Sequence, residues 1–371
     1  MKIGVPKEIK VHEYRVGLTP SSVREVVAHG HQVVVERSAG AGIGAADAAY
    51  EKAGATILAS ADEVFAAADM IVKVKEPQPA EIARLRPGQV LFTYLHLAPD
   101  PEQCRGLVGS GAVCIAYETV TQTGGGLPLL APMSEVAGRM AVQAGATCLE
   151  KANGGMGILL GGVAGVPPAK IVVLGAGVVG SNAAQIAVGS GAIVVVIDRS
   201  IDALRRIDRL LGARAITVFS NRDNIEHHVL TADLVIGGVL VPGAAAPKLV
   251  TRDHVSRMKP GSVVVDVAID QGGCFETSHA TTHAEPTYVV DQVVHYCVAN
   301  MPGAVPRTSA YALNNATLPF TLQLADLGWK RALAANPHLR AGLNVCEGKV
   351  TYREVAQALG YAHHEAEPLL A

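Results

Sequence analysis

The stretch KIVVLGAGVVGSNAAQIAVGSGAIVVVIDRS, residues 170–200, decides the fold class of this chain. An apolar strand runs into a glycine-rich turn, a helix follows, and a second strand ends at Asp198. Gly175 permits the sharp turn, Gly177 lets the backbone approach a pyrophosphate, and Gly180 lets the helix pack on the strand. The helix N-terminus then offers amide groups and a positive dipole end to the phosphates. The pattern predicts a dinucleotide-binding βαβ unit.

The acid at the end of the second strand bears on the choice of cofactor. Asp198 stands about 20 residues after Gly175, where a carboxylate accepts hydrogen bonds from ribose hydroxyls and repels a 2′-phosphate. This position favours NAD over NADP. Arg199 leaves the second cofactor open, because an arginine accommodates that phosphate. A glycine-rich turn in an unrelated α/β domain is the other interpretation, and the strand–helix–strand context argues against it.

The rest of the chain alternates short apolar runs with amphipathic segments, which predicts α/β architecture with parallel sheets. Strands are predicted at 2–5, 32–36, 70–74, 89–95, 112–117, 170–174, 193–197, 215–219, 234–237, 262–269 and 288–290. Helices are predicted at about 20–29, 61–68, 101–109, 133–151 and 313–336. We therefore expect two doubly wound Rossmann-like domains with a cleft between them.

The order of these elements predicts an inserted nucleotide-binding domain. A chain of 371 residues exceeds a typical single core. Residues 1–128 and 306–371 are assigned to a substrate-binding, catalytic domain, and 129–305 to the Rossmann domain. The long helix at about 133–151, capped near Ser134, is expected to link them.

Composition and charge exclude several classes of protein. The net charge is −2 without a basic block, so neither nucleic acid nor an anionic membrane is an expected partner. The N-terminus lacks the apolar core of a signal peptide. Uncharged stretches such as 154–169 are broken by Gly and Pro, so they do not supply the ~20 apolar residues of a membrane span. Six cysteines without a CxxC pair predict free thiols in a reducing, cytoplasmic setting. The paired histidines at 227–228 and 363–364 lack metal-ligand spacing, so no metal is expected.

Polar residues at predicted strand ends are the candidates for chemistry, because ligands of open α/β sheets bind at the carboxyl ends of strands. Lys75 and His96 follow strands of the first sheet, and Asp270 follows a strand of the second. A cleft between the domains would bring together a cation, a base and an acid. Arg15 is a fourth candidate, since a guanidinium holds a carboxylate in bidentate fashion.

Each candidate also has an ordinary structural interpretation. Lys75 and Arg15 could be surface cations, His96 a hydrogen-bonded core residue, and Asp270 a turn former before two glycines. Asp266 differs from them because it lies inside the apolar run VVVDVAID, so it needs buried partners and is interpreted as structural.

The sequence resembles the alanine dehydrogenase family across nearly its whole length. The segments that carry the resemblance are KEIKVHEYRVGLTP, KVKEP, LFTYLHLA, AYETV, PLLAPMSEVAGRMA, VLGAGVVG, GGVLVPGAAAPKLV, VDVAIDQGGCFETS and CVANMPGAVPRTSAYALNNATLPF. The wider superfamily includes the NAD-binding subunit of proton-translocating transhydrogenase and, more distantly, saccharopine dehydrogenase. Both share the nucleotide-binding frame.

This resemblance implies a reversible oxidative deamination of L-alanine to pyruvate and ammonium with NAD, carried out by a homohexamer. It implies that Arg15 and Lys75 bind substrate and that His96 and Asp270 are catalytic. The cofactor site would comprise Ser134, Gly175, Gly177, Val178, Val179, Gly180, Asp198, Ser220, Val239, Leu240, Val267, Ala268, Ile269, Asp270, Val298, Ala299, Asn300 and Met301. Ala203 is small where some relatives carry a lysine, which puts one cofactor contact in doubt.

Two rival functions stay open on the sequence alone. One is a 2-oxo acid reductase that does not use ammonia. The other is a catalytically silent NAD-binding module that serves a membrane partner, as in transhydrogenase. The joint presence of Lys75, His96 and Asp270 argues against the silent module.

Overall fold

The computed structural model describes residues 1–239 and 246–371, and these form two compact units. Met1–Met133 and Gly303–Ala371 make the first unit, and Ser134–Pro302 makes the second. The chain therefore passes between the units at 133/134 and 302/303.

Strands and helices alternate along most of the chain. The strands are β1 (Lys2–Val5), β2 (Gln32–Glu36), β3 (Thr56–Leu58), β4 (Met70–Val72), β5 (Val90–Thr93), β6 (Val113–Ala116), β7 (Lys170–Leu174), β8 (Ile193–Asp198), β9 (Ala215–Phe219), β10 (Leu234–Gly237), β11 (Val263–Asp266), β12 (Thr287–Val290), β13 (Val293–Tyr296), β14 (Leu343–Cys346) and β15 (Lys349–Val350). The α-helices are α1 (Pro20–Ala28), α2 (Asp47–Lys52), α3 (Ala61–Ala67), α4 (Pro79–Ile82), α5 (Pro101–Ser110), α6 (Ala131–Cys148), α7 (Val178–Gly189), α8 (Ile201–Leu211), α9 (Arg222–Leu230), α10 (Arg252–Ser256), α11 (Pro306–Leu327), α12 (Trp329–Ala335), α13 (Pro337–Arg340) and α14 (Arg353–Leu359). Single 3-10 turns occupy Ala41–Ile43, Tyr117–Thr119, Lys151–Asn153, Gly212–Arg214, Val267–Gln271, Met301–Ala304 and Glu367–Leu369.

The sheet of the first unit is doubly wound. Its parallel strands follow the order β3-β2-β1-β4-β5-β6, and the direction of winding reverses between β1 and β4. The C-terminal strands β14 and β15 continue the sheet antiparallel beside β6. The end of the chain thus completes the sheet that its beginning starts.

The sheet of the second unit repeats this winding. Its parallel strands follow the order β9-β8-β7-β10-β11-β13, with the reversal between β7 and β10, and β12 pairs antiparallel with β13 at the edge. This is the strand order of dinucleotide-binding folds, in which the ligand lies at the reversal. The predicted α/β fold with two Rossmann-like domains is confirmed.

Local sequence explains where several helices begin. Thr19, Ser60 and Asp100 cap α1, α3 and α5 by accepting a hydrogen bond from a backbone amide of the first turn. Proline at the first position of α1 and α5 has no amide to leave unpaired.

The linking helix differs from its prediction. It begins at Ala131 and ends at Cys148, so Ser134 lies inside its first turn and the predicted cap near Ser134 is wrong. A turn closed by the amide of Ala131 on the carbonyl of Leu127 starts the helix early. Pro132 fits there, because the first turn does not use its missing amide.

Other errors concern places where the chain turns. The strand predicted at 262–269 ends at Asp266 and continues as the 3-10 turn Val267–Gln271, so Asp270 lies in that turn. The helix predicted at 313–336 is two helices, because Gly328 breaks it with a positive φ of 76°. The short strands β3, β13, β14 and β15 were not predicted.

Buried aliphatic residues cover the faces of both sheets. The six cysteines are free and buried. In the ranges 1–239 and 246–371, no helix combines the length and apolar character that crossing a bilayer requires. The same ranges contain no group of three or more His, Cys, Asp or Glu side chains suited to a metal ion.

Candidate active site

Three of the predicted site residues lie in the first unit, along one edge of its sheet. Arg15 follows β1, Lys75 follows β4 and His96 follows β5, and these three strands are neighbours. Because the strands are parallel, all three residues lie at the carboxyl edge, where α/β sheets bind ligands.

The guanidinium of Arg15 is held by a buried carboxylate. Glu13 accepts hydrogen bonds from Nε of Arg15 at 2.7 Å and from its Nη2 at 2.5 Å. Nη1 lies 3.0 Å from the sulfur of Met133. Burial opposes the charge of Arg15, but the hydrogen bonds that it donates to Glu13 raise its pKa above the ordinary value. The cation is therefore fixed in orientation before any ligand arrives.

Lys75 and His96 share a carboxylate that the sequence did not single out. Oε2 of Glu76 lies 3.5 Å from Nζ of Lys75 and 3.7 Å from Nδ1 of His96, and Oε1 contacts Nζ of Lys10. Burial alone would raise the pKa of Glu76, but His96, Lys75 and Lys10 hold it well below its usual range. The carboxylate is thus ionised at neutral pH.

The backbone of His96 adopts a conformation that side chains rarely take. Its φ is +49°, in the left-handed region, at a cost of about 1–3 kcal/mol. Glu118, which follows β6, accepts hydrogen bonds from the backbone amides of Leu95, at 3.1 Å, and His96, at 2.6 Å. The surrounding structure therefore fixes the backbone that carries the His96 side chain, which is 40% exposed.

A buried ion-pair group supports the segment that carries Lys75. Nζ of Lys73 lies 2.6 Å from Glu8 and 3.1 Å from Glu81, and the side chains of all three are at most 3% exposed. Burial opposes the charge of Lys73, yet the two carboxylates raise its pKa. Glu8 also accepts the backbone amide of Val74 at 2.7 Å, which ties the end of β4 to the segment after β1.

The second unit carries the glycine-rich turn at its winding reversal. Gly175 has a φ of +101°, and a Cβ there would lie 2.8 Å from the carbonyl oxygen of Gly238, which follows β10. A Cβ at Gly180 would lie 1.8 Å from the carbonyl oxygen of Gly175, so only glycine permits this packing of α7. A Cβ at Gly177, by contrast, would meet nothing within 4 Å.

This turn fits the phosphates of a dinucleotide. α7 begins after Gly177 without a side-chain cap, so its first amides are free of a capping side chain. Gly177 and Val178 are exposed, and the open space beside Gly177 is where a phosphate approaches in such turns.

Asp198 ends β8 beside the glycine-rich turn, and both of its carboxylate oxygens accept backbone amides. Its Oδ2 accepts the amide of Ala176 at 2.6 Å and its Oδ1 accepts the amide of Ser200 at 2.7 Å. Each carboxylate oxygen has a further lone pair, so it can also accept a hydrogen bond from a ribose hydroxyl. Arg199 is exposed beside it. Ala203 is 4% exposed on α8 and presents no cation in this region.

The other predicted cofactor residues follow neighbouring strands of the same sheet. Ser220 follows β9, Val239 follows β10, the segment Val267, Ala268, Ile269 and Asp270 follows β11, and Val298, Ala299, Asn300 and Met301 follow β13. These strands are parallel, so the residues share the carboxyl edge with Gly175. Ser134 lies in α6. Leu240 lies outside the described residues.

The two aspartates of the run VVVDVAID have different environments. Asp270 is exposed in the 3-10 turn after β11. Asp266 is fully buried and accepts the amides of Cys274 at 3.0 Å and Phe275 at 3.4 Å. Asp266 is structural, as predicted, and Cys274 is a buried thiol whose pKa burial raises well above its usual value.

The sequence interpretation missed the carboxylates of the first unit. Glu8, Glu13, Glu76 and Glu118 each pair with a candidate residue or with its neighbouring backbone. Position was the available signal for three of them: Glu118 directly follows a predicted strand, and Glu13 and Glu76 lie within two residues of a candidate cation.

Comparison with known proteins places the chain in a family. The family model for the alanine dehydrogenase/PNT N-terminal domain matches residues 4–137, and the one for the C-terminal domain matches residues 141–353. An alanine dehydrogenase of Halomonas elongata is 64% identical over 370 residues, which cover 100% of both chains.

Solved structures agree with this assignment. The structure of an L-alanine dehydrogenase, 51% identical, covers 100% of both chains with a TM-score of 0.94. The transhydrogenase of Sinorhizobium meliloti, 29% identical, covers 95% of this chain and 99% of its own with a TM-score of 0.81. The chain belongs to the alanine dehydrogenase/PNT family.

Proposed function

We propose that this protein is an L-alanine dehydrogenase that interconverts L-alanine and pyruvate with NAD. As a member of its family it is an oxidoreductase that uses a nicotinamide nucleotide. The observation that carries the specific proposal is the alignment of Arg15, Lys75 and His96 on adjacent strand ends of one sheet. This set offers a cation for a carboxylate, a cation for a carbonyl oxygen and a group for proton transfer.

Substrate binding is assigned to the two cations. Arg15, held in place by Glu13, receives the carboxylate of alanine or pyruvate. Lys75 donates to the substrate oxygen that develops at the reacting carbon, where a positive donor stabilises the carbinolamine and polarises the carbonyl. Burial of Arg15 strengthens its electrostatic attraction for the substrate.

Proton transfer is assigned to His96. When bound, the nicotinamide ring accepts the hydride from the alanine Cα. His96 then takes a proton from the water that adds to the imine carbon and returns one to nitrogen as the C–N bond breaks. Asp270 acts at the nucleotide-binding edge, where its carboxylate orients water or ammonia and stabilises the iminium charge.

Nucleotide binding is assigned to the second unit. The amides at the start of α7 receive the pyrophosphate, and Asp198 receives the ribose hydroxyls, which selects NAD over NADP. The residues after β9, β10, β11 and β13 line the remainder of the cofactor site. In this proposal residues 129–305 form the nucleotide domain, and 1–128 with 306–371 form the substrate domain.

Assembly and location complete the proposal. We assign the protein to the cytoplasm, which its six free cysteines support. We also assign it a hexameric state by resemblance to its family. The exposed apolar side chains of Leu159, Val163 and Val166 in one segment of the second unit favour self-association. Light scattering coupled to size-exclusion chromatography measures the assembly directly.

The decisive experiment is NADH oxidation by the purified protein with pyruvate, with and without ammonium. Ammonium-dependent oxidation is the expected result. Full-rate oxidation without ammonium would instead establish a 2-oxo acid reductase, and NADH binding without turnover would establish a silent transhydrogenase-like module. Repeating the assay with NADPH tests the role of Asp198, and a clear preference for NADH is expected.

A further inference from the structure

Two polar atoms face each other beside the proposed proton-transfer residue without completing a hydrogen bond. Nδ1 of His96 and Oε2 of Glu76 are both buried, and neither has a hydrogen-bond partner in the described part of the chain. Their separation of 3.7 Å suits an ion pair but exceeds a hydrogen bond by nearly 1 Å. Catalytic hydrogen bonds are often long before substrate binds and shorten in the complex.

The rest of Glu76 is arranged so that Oε2 stays available to His96. Lys10 contacts the other oxygen, Oε1, and Lys75 lies on the Oε2 side at 3.5 Å. The Glu76 side chain is only 13% exposed, so water screens these charges weakly. The carboxylate thus links a substrate-binding lysine to the imidazole.

We propose that Glu76 is a positioning residue, which binds Nδ1 of His96 and leaves Nε2 to exchange protons with the substrate. The inference rests on the proposed alanine dehydrogenase reaction. A neutral histidine carries one ring proton, and the partner of one nitrogen decides which nitrogen carries it. An acceptor at Nδ1 places the proton there, so the Nε2 lone pair can take a proton from water.

The same carboxylate favours the protonated imidazole during the step in which His96 holds the proton. Several other charged or titratable groups surround this pair, and they contribute to the pH profile in every variant. They are Lys10 and Glu8 after β1, Arg15 with Glu13, Lys73 and Lys75 at the end of β4, Tyr94 beside His96, and Glu118 after β6.

The test is the pH profile of kcat/KM for alanine and for pyruvate in Glu76→Gln. Glutamine keeps the size and an acceptor oxygen but removes the charge, so the imidazolium loses a stabilising partner. The pH of half-maximal kcat/KM is expected to fall by about one unit or more in both directions of reaction. NADH affinity is expected to stay unchanged and kcat to fall, and a purely structural role would not produce the shift of the pH profile.

Two further variants make the result decisive. Lys10→Met removes the cation opposite Glu76, so the half-maximal pH is expected to rise. Glu63→Gln is the matched control, because Glu63 lies in α3 and accepts the backbone amide of Ala59 at 2.9 Å, and no change is expected.

A wild-type pH profile in Glu76→Gln would overturn the inference. If that variant does not fold, an unchanged profile in Lys10→Met would overturn it. Failure of the proposed function has a different signature, since the wild-type protein would then show no ammonium-dependent turnover at all.

Discussion

At the scale of single residues, two identical side chains have different environments because the chain turns between them. Asp266 and Asp270 are four positions apart, yet the first is buried under backbone amides and the second is exposed beyond the end of β11. The sequence predicted this difference from the apolar neighbours of Asp266. It could not reveal that Glu76 contacts Lys10 and His96, because these residues approach it only through the order of the strands in the sheet.

Asp270→Asn tests the exposed aspartate. The substitution keeps size and removes charge, so NADH affinity is expected to stay near the wild-type value while kcat falls by about a hundredfold or more. Asp291→Asn is the matched control, since Asp291 is also exposed but precedes β13, at the amino edge of the same sheet. Steady-state kinetics with NADH binding by fluorescence separates the two effects. Wild-type turnover in Asp270→Asn would remove Asp270 from the mechanism.

Asp266→Asn tests the buried aspartate through pH. Burial raises the pKa of Asp266, although hydrogen bonds from Ser278, Phe275 and Cys274 favour its charge. The folded state therefore holds this proton more tightly than the unfolded state, whose pKa is about 3.9. The contribution of Asp266 to the free energy of unfolding is fully present below that unfolded-state value, and it declines as pH rises through the folded-state pKa.

The free energy of unfolding of the wild type, relative to Asp266→Asn, is therefore expected to fall as pH rises from about 4 toward neutrality. Urea unfolding of both proteins across this range measures the difference. If the free energy of unfolding of the wild type relative to Asp266→Asn instead rose with pH, hydrogen bonding by the amides of Cys274 and Phe275 would outweigh the effect of burial on the pKa of Asp266.

At the scale of elements, the glycines of α7 and the turn before it have separable roles. The motif predicted both the turn and the helix from spacing alone, because Gly175 and Gly180 each meet a local steric demand. The linking helix α6 was less predictable, since its start at Ala131 depends on a turn built by ordinary apolar residues.

Three alanine substitutions separate folding from nucleotide binding. Gly180→Ala is expected to lower the free energy of unfolding by about 1–3 kcal/mol, because its Cβ would collide with the Gly175 carbonyl. Gly177→Ala is expected to leave thermal stability unchanged but weaken NADH binding about tenfold or more, since its Cβ fills the phosphate space.

Gly189→Ala, at the far end of α7, is the control. A Cβ at Gly189 meets nothing within 4 Å, so wild-type binding and a gain of up to about 1 kcal/mol in stability are expected. Calorimetric unfolding and NADH titration cover all three variants. Normal NADH affinity in Gly177→Ala would place the phosphates elsewhere.

At the scale of the whole molecule, the chain's end completes the sheet that its beginning starts. The sequence predicted that the tail returns to the first domain, but it predicted helices and missed β14 and β15. β14 acquires its partner from β6, more than two hundred residues earlier, and β15 has only two residues. Long-range pairing of this kind leaves no local signal.

Val345→Asp tests whether this pairing is needed for stability. Val345 is fully buried in β14 opposite Cys114 of β6, so an aspartate there would place an unpaired charge in the core. We expect a loss of about 4 kcal/mol or more in the free energy of unfolding, with loss of alanine turnover. Val289→Asp is the control, because Val289 is also a strand valine but is 60% exposed on β12. Thermal unfolding with parallel activity measurements decides the matter: equal melting temperatures for the two variants would mean that the first sheet is stable without its C-terminal strands.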